Sequence, residues 1–228
     1  MSASVSRVSP VDPIRLSRRI GLGAALASSL FGILYLIGLG VNLTTSGSVV
    51  PAGNDVKAAA AVIALLWNVV LLVLFVTLRR EADPSRAILA EVALTSAVVV
   101  CALSCASWFV GLTALVHLDR IADPALAGLL DPYTPGSLAY ALEHLGWGLF
   151  FGLATLLAGM AFSAQGVSPW LRWGFMATGI LSLGHFLGVI AGQAGLIALG
   201  FISWGVVFPL SCVLLALFFR RRIANSSS

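Results

Sequence analysis

Charge is scarce in this sequence: of its 228 residues only 10% are Asp, Glu, Lys or Arg, against 59% that are hydrophobic. A water-soluble fold must cover its exterior with polar side chains, so this composition excludes one. Lysine is scarcer still, with Lys57 alone beside the arginines. It lies at the mouth of an apolar run, which excludes a retinal Schiff base at mid-membrane. Also missing are a phosphate loop, a nucleophile elbow and a metalloprotease histidine pair. The loops between apolar runs stay below about twenty residues, too short for a soluble active-site domain. Cys101, Cys105 and Cys212 all fall inside apolar runs. They report no redox compartment and read first as small buried side chains.

What remains is apolar sequence in runs of roughly twenty residues or more, each long enough at 1.5 Å per residue to cross a hydrocarbon layer of about 30 Å. Six such runs appear, at about 20–43, 58–78, 87–116, 138–162, 170–191 and 196–219. They predict an all-α membrane protein, a six-transmembrane-helix bundle between a tail of residues 1–19 and a tail of residues 220–228. The first run exceeds the 7 to 15 residues of a signal-peptide core and reads as a retained helix. The third, at roughly 45 Å, must tilt or protrude. In the loop from Asp119 to Gly136, residues 124–130 predict a short helix on the bilayer surface. Pro209 lies within the sixth run, where it cannot donate to the Gly205 carbonyl and should kink the helix. No tandem repeat is visible; Phe31-Gly32 and Phe151-Gly152 hint at two three-helix halves, but the match does not extend.

The basic residues give the orientation. With the amino end inside, Arg7, Arg15, Arg18, Arg19, Arg79, Arg80, Arg86, Arg172, Arg220, Arg221 and Arg222 are cytoplasmic, whereas the outer loops hold Lys57 and Arg120. This is the asymmetry of the positive-inside rule, and it predicts cytoplasmic amino and carboxyl termini. The abundance of Arg, Ala, Leu and Gly suggests a bacterial gene rich in G and C, hence a cell (inner) membrane. The arginines flank apolar runs and form no continuous stripe, so membrane lipid is the expected partner and nucleic acid is not.

Ionisable groups inside spans cost about 2 to 3 kcal/mol or more at mid-depth, which makes each a candidate site. Glu143 lies about 8 Å below the outer end of the fourth run and needs a proton or a partner. His144 follows it, and His185 lies at nearly the same depth in the fifth run. Two imidazoles at one level read as haem ligands (haem b), as metal ligands, as a proton relay or quinone site, or as an ordinary interhelical hydrogen bond. Facing helices are expected to bring His144 and His185 together, with Glu143 close enough to affect their protonation. Glu91, near the inner end of the third run, is expected to reach the interface or pair with Arg86. Asn68 stands near the bilayer centre and should bond to a neighbouring helix. His117 marks the outer end of the third run. Cys101 and Cys105 share a stripe with Ser104 and Trp108, but no third soft ligand is near for copper. Small residues mark packing faces: Gly148 and Gly152 on the fourth run, and Gly184, Gly188 and Gly192 as one groove on the fifth, serving the bundle itself or a homodimer.

The stretch Phe150-Phe151-Gly152 through Gly159, then Pro169-Trp170-Leu171-Arg172-Trp173-Gly174 and Gly179, resembles a family of bacterial multi-pass membrane proteins catalogued as a domain of unknown function. The resemblance covers about residues 140–192. It implies a helical bundle and no reaction. Three readings stay open from sequence: a non-enzymatic bundle that binds a small lipophile or serves as a subunit of a membrane complex, a haem- or quinone-linked redox or proton-transfer protein, and a small-solute transporter. Glu143, Asn68 and Glu91 would mark a transport path only if they faced one cavity.

Overall fold

The computed structural model describes residues 12–51, 53–117, 123–162 and 167–225. They form helices α1 (Pro13–Ser46), α2 (Asn54–Glu81), α3 (Ala87–Val116), the short α4 (Pro124–Leu130), α5 (Leu138–Ala161), α6 (Pro169–Ala191) and α7 (Ala194–Asn225), and no strand occurs among the described residues. All but α4 are long and apolar enough to cross a membrane. Helices are the expected solution because an open backbone N–H or C=O in lipid has no water to bond.

Local chemistry sets the ends. Asp12 caps α1 by accepting from the Ile14 N–H at 3.0 Å, with Pro13 in the first turn, and Gly47 ends it at φ +66°. These signals lie outside the apolar run, so the helix outlasts the run at both ends. Asp123 and Ser137 cap α4 and α5 in the same way. Gly192 closes α6 at φ +64°, and the Gln193 N–H reaches the Gly188 carbonyl at 2.9 Å. Gly192 is therefore a left-handed helix end with open space where a Cβ would lie, not a third member of the glycine groove.

Each long helix packs on its neighbours in sequence and α7 returns to α1, so the six close a ring. Its interior is an aromatic and aliphatic core that includes Trp67, Phe75, Trp147, Phe151, Phe175 and Phe208. Glycines set the closest approaches. A Cβ on Gly148 would lie 2.8 Å from Phe186 and one on Gly152 2.9 Å from Leu183, which joins α5 to α6. One on Gly184 would meet Leu199 at 2.7 Å, and one on Gly188 would meet Leu196 at 2.5 Å and the Ile197 backbone at 2.6 Å, which joins α6 to α7. Both grooves are thus used within the chain.

Two helices depart from α geometry. Residues Leu145–Phe150 of α5 and Ser203–Val207 of α7 wind as π-helix. The second lies just before Pro209, whose missing N–H frees the turn to widen. The first has no proline. The two share a pattern that a search for tandem repeats passes over, Trp147-Gly148-Leu149-Phe150-Phe151 and Trp204-Gly205-Val206-Val207-Phe208. The matching residues meet in the core, with Trp147 and Trp204 rings 5.7 Å apart and Phe151 and Phe208 rings 5.0 Å apart. This pairing, and not one of Phe31-Gly32 with Phe151-Gly152, is the internal likeness that the fold realises: Gly32 packs on Pro209 and Gly152 on Leu183.

One end of the bundle gathers the first and last described residues and most of the described arginines, since Gly21 packs on Phe219. There the Arg18 Nε donates to Glu81 at 2.7 Å and ties α1 to α2. Arg86 donates to the carbonyls of Met160 at 2.7 Å and Phe162 at 3.3 Å, and so caps α5. Glu91 therefore pairs with Arg79, whose Nε donates at 2.6 Å, and not with Arg86. At the opposite end Lys57 pairs with Asp131 at 3.0 Å and lies over the Tyr133 ring at 5.3 Å.

Candidate ligand-binding site

The polar groups of the half away from the chain ends fall into two clusters. The first surrounds Ser104 of α3. Its hydroxyl accepts from the Asn68 amide at 2.9 Å and from the Trp147 indole at 3.0 Å, and so joins α2, α3 and α5. Asn68 also donates to the Ala64 carbonyl at 2.9 Å, and its main-chain carbonyl oxygen accepts from the Cys101 thiol at 3.1 Å. Glu143 accepts at Oε1 from the Trp108 indole at 2.7 Å, and Ser104 and Trp147 border its carboxyl. Trp147 in turn packs on Trp67, rings 5.1 Å apart, and Trp67 stacks on Phe31 of α1 at 6.2 Å.

Three buried atoms of this cluster have no hydrogen-bond partner: Glu143 Oε2, Asn68 Oδ1 and Trp67 Nε1. Others lie elsewhere, such as Ser28 Oγ, but only here do they gather around one pair of residues. A buried polar group left open costs about 1–3 kcal/mol, and lipid supplies no water to close it. Asn68 Oδ1 accepts, the Trp67 indole donates, and Glu143 Oε2 accepts when ionised and donates when protonated. Together they complement a small group that both gives and takes a hydrogen bond.

The rim is half-buried and aromatic. Tyr35, Trp108 and Tyr133 flank Glu143 on its outer side, with Trp108 edge-on to Tyr133 at 5.5 Å. Tyr133 belongs to the loop after α4, held by the Lys57–Asp131 pair and by Pro132, which fills the space where Gly111 lacks a Cβ. Burial and the Asp131 carboxylate push the Tyr133 phenol up, so it keeps its proton.

The second cluster joins α5, α6 and α7. His144 Nδ1 and His185 Nε2 lie 2.8 Å apart, and His185 Nδ1 lies 2.7 Å from the Ile197 carbonyl. A carbonyl only accepts, so His185 donates through Nδ1, its Nε2 accepts, and His144 Nδ1 is the donor. His185 sits where Gly200 leaves room, since a Cβ there would lie 2.5 Å from its Nδ1. Beside them a second chain runs one way: the Trp204 indole donates to Ser182 at 3.1 Å, Ser182 to Ser203 at 2.8 Å, and Ser203 to the Thr178 carbonyl at 2.9 Å. Both chains end on a backbone carbonyl, which cannot pass a proton on.

His144 and His185 thus meet across α5 and α6, but Glu143 does not join them. Adjacent residues differ by about 100° around a helix; Glu143 turns to Trp108 of α3 and His144 to α6. Imidazoles in direct contact leave no room for a porphyrin between them, because the two axial nitrogens of a haem are separated by the iron and its ring plane. This packing does not fit the two-histidine haem. Among the described residues no group of three His, Cys, Asp or Glu side chains is placed to hold a metal ion. Cys101 and Cys105 are free thiols, and exposed His117 ends α3. Glu91 is remote: between Asn68 and Glu91 the interior is filled by Leu71, Leu74, Phe75, Ala97 and Val100, so Asn68, Glu143 and Glu91 do not face one cavity.

Sequence reasoning missed Ser104, Trp147 and Trp67. The available signal was the repeated Trp-Gly-x-x-Phe, which marks both π-helical turns. No protein-family model, curated protein or solved structure matches the chain.

Proposed function

We propose that this is a non-enzymatic ligand-binding membrane protein of a bacterial cell (inner) membrane, with both termini cytoplasmic, which takes a small lipophile bearing a hydroxyl in the cluster around Ser104. The observation that carries the reading is the gathering of Glu143 Oε2, Asn68 Oδ1 and Trp67 Nε1, buried and open, beside the Ser104–Trp147 pair. A hydroxyl donates to one of the two oxygens and accepts from the indole, while its hydrocarbon part lies against Phe31, Trp67 and Trp147. The Tyr133 loop lies over the outer side. The same site would serve a subunit of a larger complex that carries such a lipophile.

The other readings have less behind them. A transport path meets the apolar plug below Asn68. A relay through the histidines stops at the Ile197 carbonyl. A quinone carbonyl meets the open Trp67 indole but gives nothing to the Asn68 oxygen, whereas a quinol, with hydroxyls, serves both and falls within the proposed class. The orientation is supported by the gathering of arginines at one end of the bundle. Cysteine labelling at Ser48 and Ser227 tests it, and accessibility of both from the same side would overturn it.

The binding test uses 1-decanol and n-decane on the purified protein in nanodiscs. Decanol is expected to raise the melting temperature saturably and n-decane is not. Equal shifts from both would mean that the polar head is not recognised, which defeats the proposal.

A further inference from the structure

One cavity among the described residues lies away from the proposed site. It is a cleft of about 600 Å³ at the arginine-rich end, lined by Arg18 of α1, Ser168 at the start of α6, and Leu214, Leu217, Phe218, Arg221, Arg222 and Asn225 of α7. Its walls change character along α7. Leu214, Leu217 and Phe218 belong to the apolar span, whereas Arg221 and Arg222 lie one turn beyond, where the span gives way to the interface. Arg222 keeps its guanidinium 5.3 Å over the Phe218 ring, and so holds charge at the boundary. Arg18 is paired with Glu81, which leaves the cleft a net positive charge from Arg221 and Arg222. Ser168 gives no side-chain cap to α6, and the positive end of that helix opens toward the same space. Trp170 and Trp173, both well exposed on the first turn of α6, mark the depth as the headgroup layer.

A free anion would find charge here but no use for the apolar wall, and an uncharged lipid no use for the arginines. We infer that the cleft is a site for one anionic phospholipid, its phosphate held by Arg221 and Arg222 and an acyl chain laid along Leu214 and Leu217. Basic pockets between transmembrane helices at this level are suited to such headgroups. The inference is independent of the site around Ser104, which lies in the other half of the bundle.

Native mass spectrometry of the detergent-solubilised full chain tests it, with phosphatidylglycerol, phosphatidylcholine or inorganic phosphate added. One phosphatidylglycerol is expected to be retained well above phosphatidylcholine. The double variant R221Q/R222Q should weaken that retention about thirty-fold, from the usual gain per basic residue near an anionic lipid. Arg220 is exposed and does not line the cleft, so R220Q removes a charge from the same helix end and should change retention less than twofold. Equal retention of the two lipids overturns the inference, as does an R220Q loss as large as that of the double variant. Displacement of the lipid by millimolar phosphate would assign the cleft to a free anion. Retention that appears only after removal of residues 1–11 would assign it to the chain's own amino end.

Discussion

The two π-helical turns carry the same Trp-Gly-x-x-Phe pattern, and in both the indole donates to a serine of the preceding span, Trp147 to Ser104 and Trp204 to Ser182. Beyond that serine they diverge. Around Trp204 the bonds close: Ser182, Ser203 and Thr178 follow in order, and the neighbouring histidines end on Ile197. Around Trp147 they do not, and Glu143, Asn68 and Trp67 each keep one buried atom without a partner. The difference can be traced to one position, four residues before each tryptophan. In α5 it is Glu143, a carboxyl with more acceptor capacity than its surroundings fill; in α7 it is Gly200, whose missing side chain admits His185. A closed chain is interhelical adhesive, whereas an open one is where the proposed function places a ligand.

The comparison is broken most severely where close approach matters most. Gly188 lets α7 come within contact of the α6 backbone, and any side chain there meets the Leu196 Cβ and the Ile197 amide, neither of which can swing away. Gly188→Leu is expected to cost about 3 kcal/mol, at the upper end for overpacking, and to lower the melting temperature by roughly 5–10 °C. Because Ile197 supplies the carbonyl that holds His185, the closed cluster should loosen with it. An unchanged melting curve would show that the α6–α7 contact is not what orders the histidines.

A smaller change tests whether closure stabilises. Ser203→Ala removes the link that takes the Ser182 proton and donates to the Thr178 carbonyl; it orphans the Ser182 proton, while the Thr178 carbonyl keeps its helical bond. The expected loss is about 1–2 kcal/mol, since interhelical hydrogen bonds in membranes run at the low end of the soluble range. The measurement is the melting temperature in the same nanodiscs. A loss below about 0.3 kcal/mol would mean that these hydroxyls find other partners readily, and the distinction between closed and open would lose its force.

How much of this was readable in the sequence follows from which properties run along the chain and which run around it. Hydropathy runs along the chain, so the six apolar helices and the short helix at 124–130 were legible, and Pro209 marked where the sixth departs from α geometry. So was the use of Gly184 and Gly188, because spacing by four fixes a stripe. The direction a residue faces relative to other helices does not run along the chain. Equal depth points to an action of Glu143 on the histidines, but its bearing takes it to Trp108. The nearest arginine in sequence to Glu91 was Arg86, yet Arg86 is drawn to the carbonyl end of α5 and Arg79 crosses from α2 instead. Gly192 fitted the stripe by spacing but stands where the helix turns left-handed. The π-helix of α5 had no proline to announce it, and only the likeness of residues 147–151 to 204–208 could have done so.

The finest test separates the clusters at Glu143 itself. Glutamine has the shape of glutamate but only one acceptor oxygen. In Glu143→Gln that oxygen continues to take the Trp108 indole proton, and an amide NH₂ replaces the open Oε2. If the open atom awaits a hydroxyl donor, decanol must turn its hydroxyl round to accept, and it loses about one hydrogen bond. Its half-saturation point should rise about fivefold. Stability without ligand should change by less than about 0.5 kcal/mol, because the amide matches the carboxyl in shape and keeps the oxygen that Trp108 uses. The two readouts therefore move oppositely to those of Ser203→Ala, which should melt lower and bind decanol as before. Should Glu143→Gln instead melt as low as Ser203→Ala with unaltered decanol saturation, Glu143 would belong with the adhesive, and both π-helical turns would be structural.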